Sequence, residues 1–439
     1  MKRSVKIILS IMIPALLLGT VIIPSIVSKP IETKSVKKSF KNELEGSVII
    51  LDGNSPYDYG FKAGKIFCQE YRLFEIIARL KGNIDKKMVE KQIGIMEQHY
   101  PFFLEELRGL SDSLNIQLEK VVSCQMSLHS IFDKLLNEEC TMTLSSGKST
   151  KNNITFLTFN VDSRTDSIVN KIMICMLRLF TMKPRIARIN TLRYKYVYFG
   201  IPVLYEWPLM NEKGLGFGAT GLPLTENDSR YIDEGGGIST YMLERLTLMT
   251  CKNVTEVARL WKSIERSSGQ DESWPRFWDN SAPGWCDGEG GILIIEQTHN
   301  HIITVFGNST EITGSPEGIL WHANHHQWLD PNLTGSKFPD EYESSKLRAE
   351  RAHELLATNY GMINYGICKR ITRDYKGGSN PDDYDSSDIC RYPDEDYPAG
   401  TVFTWIIQPE SLTIFWTHSV PNRSRFYYYN FSTIFDGSD

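Results

Sequence analysis

The chain has 439 residues, 41% of them hydrophobic and 23% charged, with a formal net charge of -5. This is the composition of a globular protein with one large core or two ordinary ones, and it excludes extensive disorder. A mildly acidic balance without a basic block argues against nucleic acid as a partner.

Lys2, Arg3 and Lys6 precede residues 8–27, an uncharged apolar run long enough to cross a bilayer as a helix. Pro14 and Pro24 are tolerated in such helices. Residues 1–28 therefore read as a signal-anchor or a cleaved signal peptide, and 29–45, rich in Lys and Ser, as a linker. The rest of the chain is expected outside the cytoplasm, held at the membrane by the N-terminal segment, or secreted if that segment is removed. Such an address permits disulfides among Cys68, Cys124, Cys175, Cys251, Cys286, Cys368 and Cys390, in no pairing the spacing can assign.

Residues 47–51 read as a buried strand, and 53–64 as a turn entering a helix, with glycines that allow close backbone approach. Helical spacing runs from 65 to 136, with breaks expected at Pro101 and Gly109. Cys140 opens a hairpin: a strand to Ser146, a polar turn over 147–153, and a second strand from Ile154 to Phe159. Residues 171–188 read as a helix with a basic exposed side. Strand-like segments follow at 194–208 and after the turn that starts at Met210. Helices come next at 240–248 and 254–264, the second capped by Asn253. A hairpin joins 291–297 to 301–306. The segment Trp321-His-Ala-Asn-His-His326 precedes a helix over 344–356 and a polar loop over 373–400. The last strands are 401–408, 411–418 and 426–431. Strands in antiparallel pairs with helices in blocks predict an α+β fold rather than a doubly wound sheet.

A thiol at the head of a hairpin has one special use. If the bond before Cys140 is cut, that residue carries both a nucleophile and an α-amino group, whose ordinary pKa of about 7.7–8.0 suits a general base. The ordinary reading of any one of the eight cysteines is a small buried hydrophobe.

The order of segments resembles the acyl-coenzyme A:6-aminopenicillanic acid acyltransferase family of cysteine N-terminal-nucleophile hydrolases. The resemblance rests on the glycines at Gly60 and Gly64, the Glu-Leu-Arg-Gly helix at 106–109, Cys140-Thr141, Asn160-Val-Asp162, Asn211-Glu-Lys-Gly-Leu215, His322-Ala-Asn-His325 and the block from Ser344 to Arg351. It spans about 46 to 420. It implies a four-layer αββα sandwich, a helical pro-segment at 46–139, a catalytic domain at 140–439, and a zymogen that cuts itself before Cys140. Glu138 and Glu139 stand where the family usually has a small residue.

The resemblance further implies that Cys140 attacks a small N-acyl or peptide amide, or a thioester, and that Asp162 holds its ammonium. Arg164 would orient the site or a substrate carboxylate, and Arg348 would bind such a carboxylate. Asn280 is the first choice for the oxyanion-hole donor and Asn324 the second. His322, His325 and His326 lack the acidic third ligand of a metal site, and neither metal nor other cofactor is expected. Two alternatives stand beside hydrolysis or acyl transfer at a linear amide. One is a lipid-acyl hydrolase of the phospholipase B-like or acid ceramidase kind, and the other a catalytically silent binding protein on the same fold.

Overall fold

Thr and apolar residues before the Gly147 turn, and Phe, Leu and Thr after it, form the expected hairpin, strands β3 (Thr141–Ser145) and β4 (Phe156–Arg164). In the computed structural model, residues 44–45, 48–81, 84, 86–136, 140–164, 174, 184–222, 239–264, 281–298, 301–330, 333, 343–375, 387–392 and 399–435 are described. They lie in one unit, Phe40–Ser438. Among them no helix is long and apolar enough to cross a membrane, and the apolar run at 8–27 lies outside them.

Five helices follow β1 (Leu44–Glu45) and β2 (Ile49–Gly53): α1 (Pro56–Ile66), α2 (Cys68–Lys81), α3 (Lys86–His99), α4 (Pro101–Leu114) and α5 (Leu118–Leu136). Ser55 starts α1 by accepting the Asp58 N–H at 3.1 Å. Pro101 occupies the first turn of α4, where a missing N–H costs nothing.

Gly109, expected to break the helix, lies inside α4. The reason is a backbone contact. A Cβ on Gly109 would stand 2.0 Å from the Tyr57 carbonyl oxygen, and one on Gly60 would stand 1.9 Å from that of Glu106. The stripe of small residues lets α1 and α4 cross almost backbone to backbone, which outweighs the poor helix propensity of glycine. Gly109→Ala, a gain in an exposed helix, should here cost about 1–3 kcal/mol through overpacking. Urea unfolding reads it, and a variant as stable as the wild type would show that the helices part freely.

The remaining strands are β5 (Arg185–Ile189), β6 (Tyr196–Ile201), β7 (Tyr205–Asn211), β8 (Gly216–Gly221), β9 (Ser281–Cys286), β10 (Ile292–Gln297), β11 (Ile302–Phe306), β12 (Ile319–His322), β13 (Ala399–Gln408), β14 (Thr413–Thr417) and β15 (Tyr427–Asn430). One sheet has seven strands in the order β1-β15-β14-β13-β4-β3-β12, and the other has eight in the order β11-β10-β9-β8-β7-β6-β5-β2. The stretch read as a basic helix is corrected at its end, because Ile186, Ala187 and Ile189 are buried in β5, between β2 and β6. Apart from Ile174, residues 165–183 lie outside the described residues.

Strands β3 and β4 pack face to face with β8 and β9. Glycines make the approach close: a Cβ on Gly284 would stand 2.4 Å from the Met142 sulfur, and one on Gly218 would stand 3.3 Å from Leu157. Helices α6 (Thr240–Thr250) and α7 (Val254–Ser263) cover the eight-stranded sheet, and α8 (Glu343–Thr358) and α9 (Tyr365–Ile371) cover the other. Asn253 caps α7 as expected, accepting the Glu256 N–H at 3.0 Å. The fold is thus α+β, in the four-layer αββα arrangement.

No disulfide joins Cys68, Cys124, Cys140, Cys251, Cys286, Cys368 or Cys390 among the described residues, and Cys175 lies outside them.

Candidate active site

Strand alternation places the chemistry. Met142 and Leu144 face the second sheet, whereas Thr143 turns to the other side and meets Thr158 hydroxyl to hydroxyl at 2.6 Å. Cys140, two residues before Met142, shares its parity. Its sulfur comes within reach of the Gly221 N–H at the end of β8 and of the Asp162 N–H on β4. Thr141 pairs with Asn160 and His322 with Met142, so the start of β3, the last turns of β4 and the end of β12 gather at one end of the sheet.

Cys140 is fully buried. Burial first, and the nearby Asp162 charge second, push its thiol up to about 12, against the pull of the Asp162 and Gly221 N–H groups and of Arg348. With the chain continuous through Cys140, its side chain is a neutral thiol at pH 7.

Asp162 is also fully buried, and burial raises its carboxyl to about 7 although Arg348 and Thr401 oppose the shift. Thr401 is its register partner on β13. Thr401 eases the charge, yet neither Asp162 oxygen meets full hydrogen-bond geometry with a donor among the described residues. A buried carboxylate in that condition is costly and calls for a cation or donor beside it.

Arg348, expected to bind a substrate carboxylate, is only 1% exposed. Its Nη1 donates to the Cys140 carbonyl at 2.5 Å and to Thr141 Oγ1 at 2.9 Å, and its Nη2 donates to Asn324 Oδ1 at 3.1 Å. Asn324 in turn donates through Nδ2 to the Gly221 carbonyl at 2.9 Å. Cys140, Asp162, Asn324 and Arg348 therefore form one buried group. The Arg164 side chain and Asn280 lie outside the described residues. Ser281, where β9 begins, pairs with Gly221.

The three histidines divide: His322 and His326 both face Glu296, whereas His325 turns to Ser345. His322 joins Thr220 and Glu296, and His325 Nδ1 meets Ser345 Oγ at 2.8 Å. Burial holds His325 down at about 3, and His326 Nδ1 stands 3.7 Å from Glu296. Among the described residues no group of three or more His, Cys, Asp or Glu is placed to hold a metal ion. Sequence reading missed Thr220, Gly221 and Glu296. The available signal was Glu296 itself, a carboxylate closing the apolar run Ile-Leu-Ile-Ile of β10.

Residues 209–417 match the sequence model of the family described as acyl-coenzyme A:6-aminopenicillanic acid acyl-transferase. This is the family the chain resembles. The acyl-transferase match takes in Gly221, Glu296, His322, Asn324 and Arg348, whereas Cys140 and Asp162 precede it. No curated protein matches the chain. Among solved structures, penicillin V acylase from Agrobacterium tumefaciens is similar with 13% identity and a TM-score of 0.38, over 66% of this chain and 86% of that one. A mutant of conjugated bile acid hydrolase from Clostridium perfringens is similar with 15% identity and a TM-score of 0.40, over 66% of this chain and 92% of that one. The match to this family's model points to an enzyme that hydrolyses or transfers acyl groups at amides.

Proposed function

We propose that the chain is a cysteine amidohydrolase or acyltransferase that acts through an acyl-Cys140 intermediate after its own cleavage before Cys140. The observation that carries this reading is the unmet carboxylate of Asp162 beside a thiol that heads its strand. An α-ammonium released at Cys140 adds to Arg348 a second cation, and one that can donate to the Asp162 carboxylate.

In the processing step, the Cys140 sulfur attacks the Glu139 carbonyl carbon, and its proton passes to the Cys140 nitrogen as the C–N bond breaks to free the amine. Water then hydrolyses the resulting thioester, leaving a carboxylate on Glu139 and restoring the thiol. In turnover, the amine takes the thiol proton as sulfur adds to the substrate carbonyl. Collapse expels the substrate amine, which takes that proton back. Water or a second amine then accepts the acyl group, giving hydrolysis or transfer.

Arg348 holds the Cys140 carbonyl, which suits a positioning role better than capture of a substrate carboxylate. Asn280 and Asn324 remain the candidate oxyanion donors, Asn324 with its amide already bonded to Gly221. The substrate class is a small N-acyl or peptide amide, or a thioester. The apolar run at 8–27 supports a site outside the cytoplasm, tethered or secreted.

Intact-mass measurement of purified protein should show two pieces, the second beginning at Cys140. Incubation with N-acyl amino acids, short peptides and thioesters should add an acyl mass to that residue. A single chain that gains no adduct supports the silent-binder alternative and ends this reading.

A further inference from the structure

We infer that Thr220, His322 and Glu296 form a positioning relay that fixes the Gly221 N–H against the Cys140 sulfur. This rests on the reading of Cys140 as nucleophile and adds residues that the reading does not use.

Three fully buried side chains join the two sheets at the end that carries Cys140. His322, the last residue of β12, reaches from the seven-stranded sheet into the eight-stranded one. Its Nδ1 lies 2.7 Å from Thr220 Oγ1 on β8, and its Nε2 lies 3.0 Å from Glu296 Oε1 on β10.

The proton positions follow from the acceptor. Glu296 receives the backbone N–H groups of Gln327 at 2.7 Å, Trp328 at 3.1 Å and Leu329 at 2.7 Å. A carboxylate with three such donors stays ionised and can only accept. His322 Nε2 must then carry a proton and donate it to Glu296, while Nδ1 is left to the Thr220 hydroxyl. The relay therefore links Thr220 through His322 to the fixed carboxylate of Glu296.

Its target is the next residue. Gly221 offers its N–H to the Cys140 sulfur, and its carbonyl is held by Asn324 Nδ2 at 2.9 Å. Asn324 is tied to Arg348, and Arg348 closes the ring on the Cys140 carbonyl. A glycine at a strand end has wide backbone freedom, and here it is clamped on both sides. The clamp keeps a donor aimed at sulfur, where it favours thiolate over thiol. Thr220 is next to the reacting group and the other two are further off, so all three act by positioning. The charges around the sulfur itself are Asp162 and Arg348.

The test uses the full chain as it purifies, with Thr220→Val and Thr220→Ser. Cys140 alkylation by iodoacetamide is followed by mass across pH, together with kcat and KM on whichever amide acylates the wild type. Loss of one aimed donor should shift the alkylation profile upward by about one pH unit and lower kcat about tenfold at unchanged KM. Thr220→Ser, which keeps the hydroxyl, should restore both. His322→Asn should match Thr220→Val if folded, and circular dichroism decides that. A Thr220→Val profile identical to the wild type, or a serine variant as impaired as valine, overturns the relay while Cys140 chemistry stands. No acyl adduct at Cys140 in the wild type overturns the nucleophile reading and the relay with it.

Discussion

Cys140→Ala should leave one uncut chain whose amide turnover is lower by about 10⁴-fold or more, because the side chain that forms the acyl-enzyme is gone. The fold should survive. Cys140 is fully buried, but deleting one sulfur opens only a small cavity, worth about 1–2 kcal/mol. Intact mass and initial rates read the result, and an alanine variant that is still cut or still active would remove Cys140 from the mechanism.

The same uncut chain exposes the Asp162 titration. Its carboxyl is moved from the ordinary 3.8 to about 7, so the folded state holds that proton more tightly than the unfolded state. Stability should therefore fall as pH rises from about 4 to about 7 and stay lower above that, by up to about 4 kcal/mol. Adding Asp162→Asn to Cys140→Ala should flatten this loss. Urea midpoints across that range measure it, and parallel curves for the two chains would show that Asp162 ionises freely.

The second large effect concerns the join between the segment before Cys140 and the remainder. Arg245 on α6 stands 2.7 Å from Glu106 on α4 and 2.9 Å from Glu206 on β7, all three buried. Tyr59 of α1 donates to Glu206 Oε1 at 2.9 Å, and Tyr196 to Oε2 at 2.5 Å. Burial lifts Glu106 to about 8 even with Arg245 beside it. Arg245→Leu leaves two carboxylates buried without their cation, so it should cost about 3–5 kcal/mol. In the wild type, both pieces of a cut chain should leave a sizing column together, and the variant should let them part in far less urea. Co-elution with an unchanged urea midpoint would show that the ion cluster does not hold the join.

The hairpin at Cys140 was legible because β-branched residues flank a glycine turn, and the Asn253 cap because its signal is local. Gly109 was misread for the opposite reason: propensity is local, but the contact that demands glycine comes from Tyr57 on another helix. Residues 185–188 looked helical at the end of a basic apolar run until pairing with β2, over a hundred residues earlier, decided otherwise. Arg348 shows the limit for charge. Nothing in the block Ser344 to Arg351 distinguishes a solvated arginine from one folded over the Cys140 carbonyl. The Thr220–His322–Glu296 chain joins three strands, and only the stacking of the two sheets brings them together.

The first described strands have a consequence for how the molecule is made. β1 runs beside β15 and β2 beside β5, so the opening residues close the outer edges of both sheets. The partner of β1, at Tyr427 and Tyr428, lies far along the chain from it and is made long after it. Sheet closure must wait for it, as expected of a slow fold built on distant contacts. A chain severed at Cys140 would keep its shape but lose the tether that made those pairings intramolecular. Once denatured and diluted, its halves must find each other by diffusion. The mature form would then persist because it unfolds slowly, and an intact precursor could renature where its processed descendant could not.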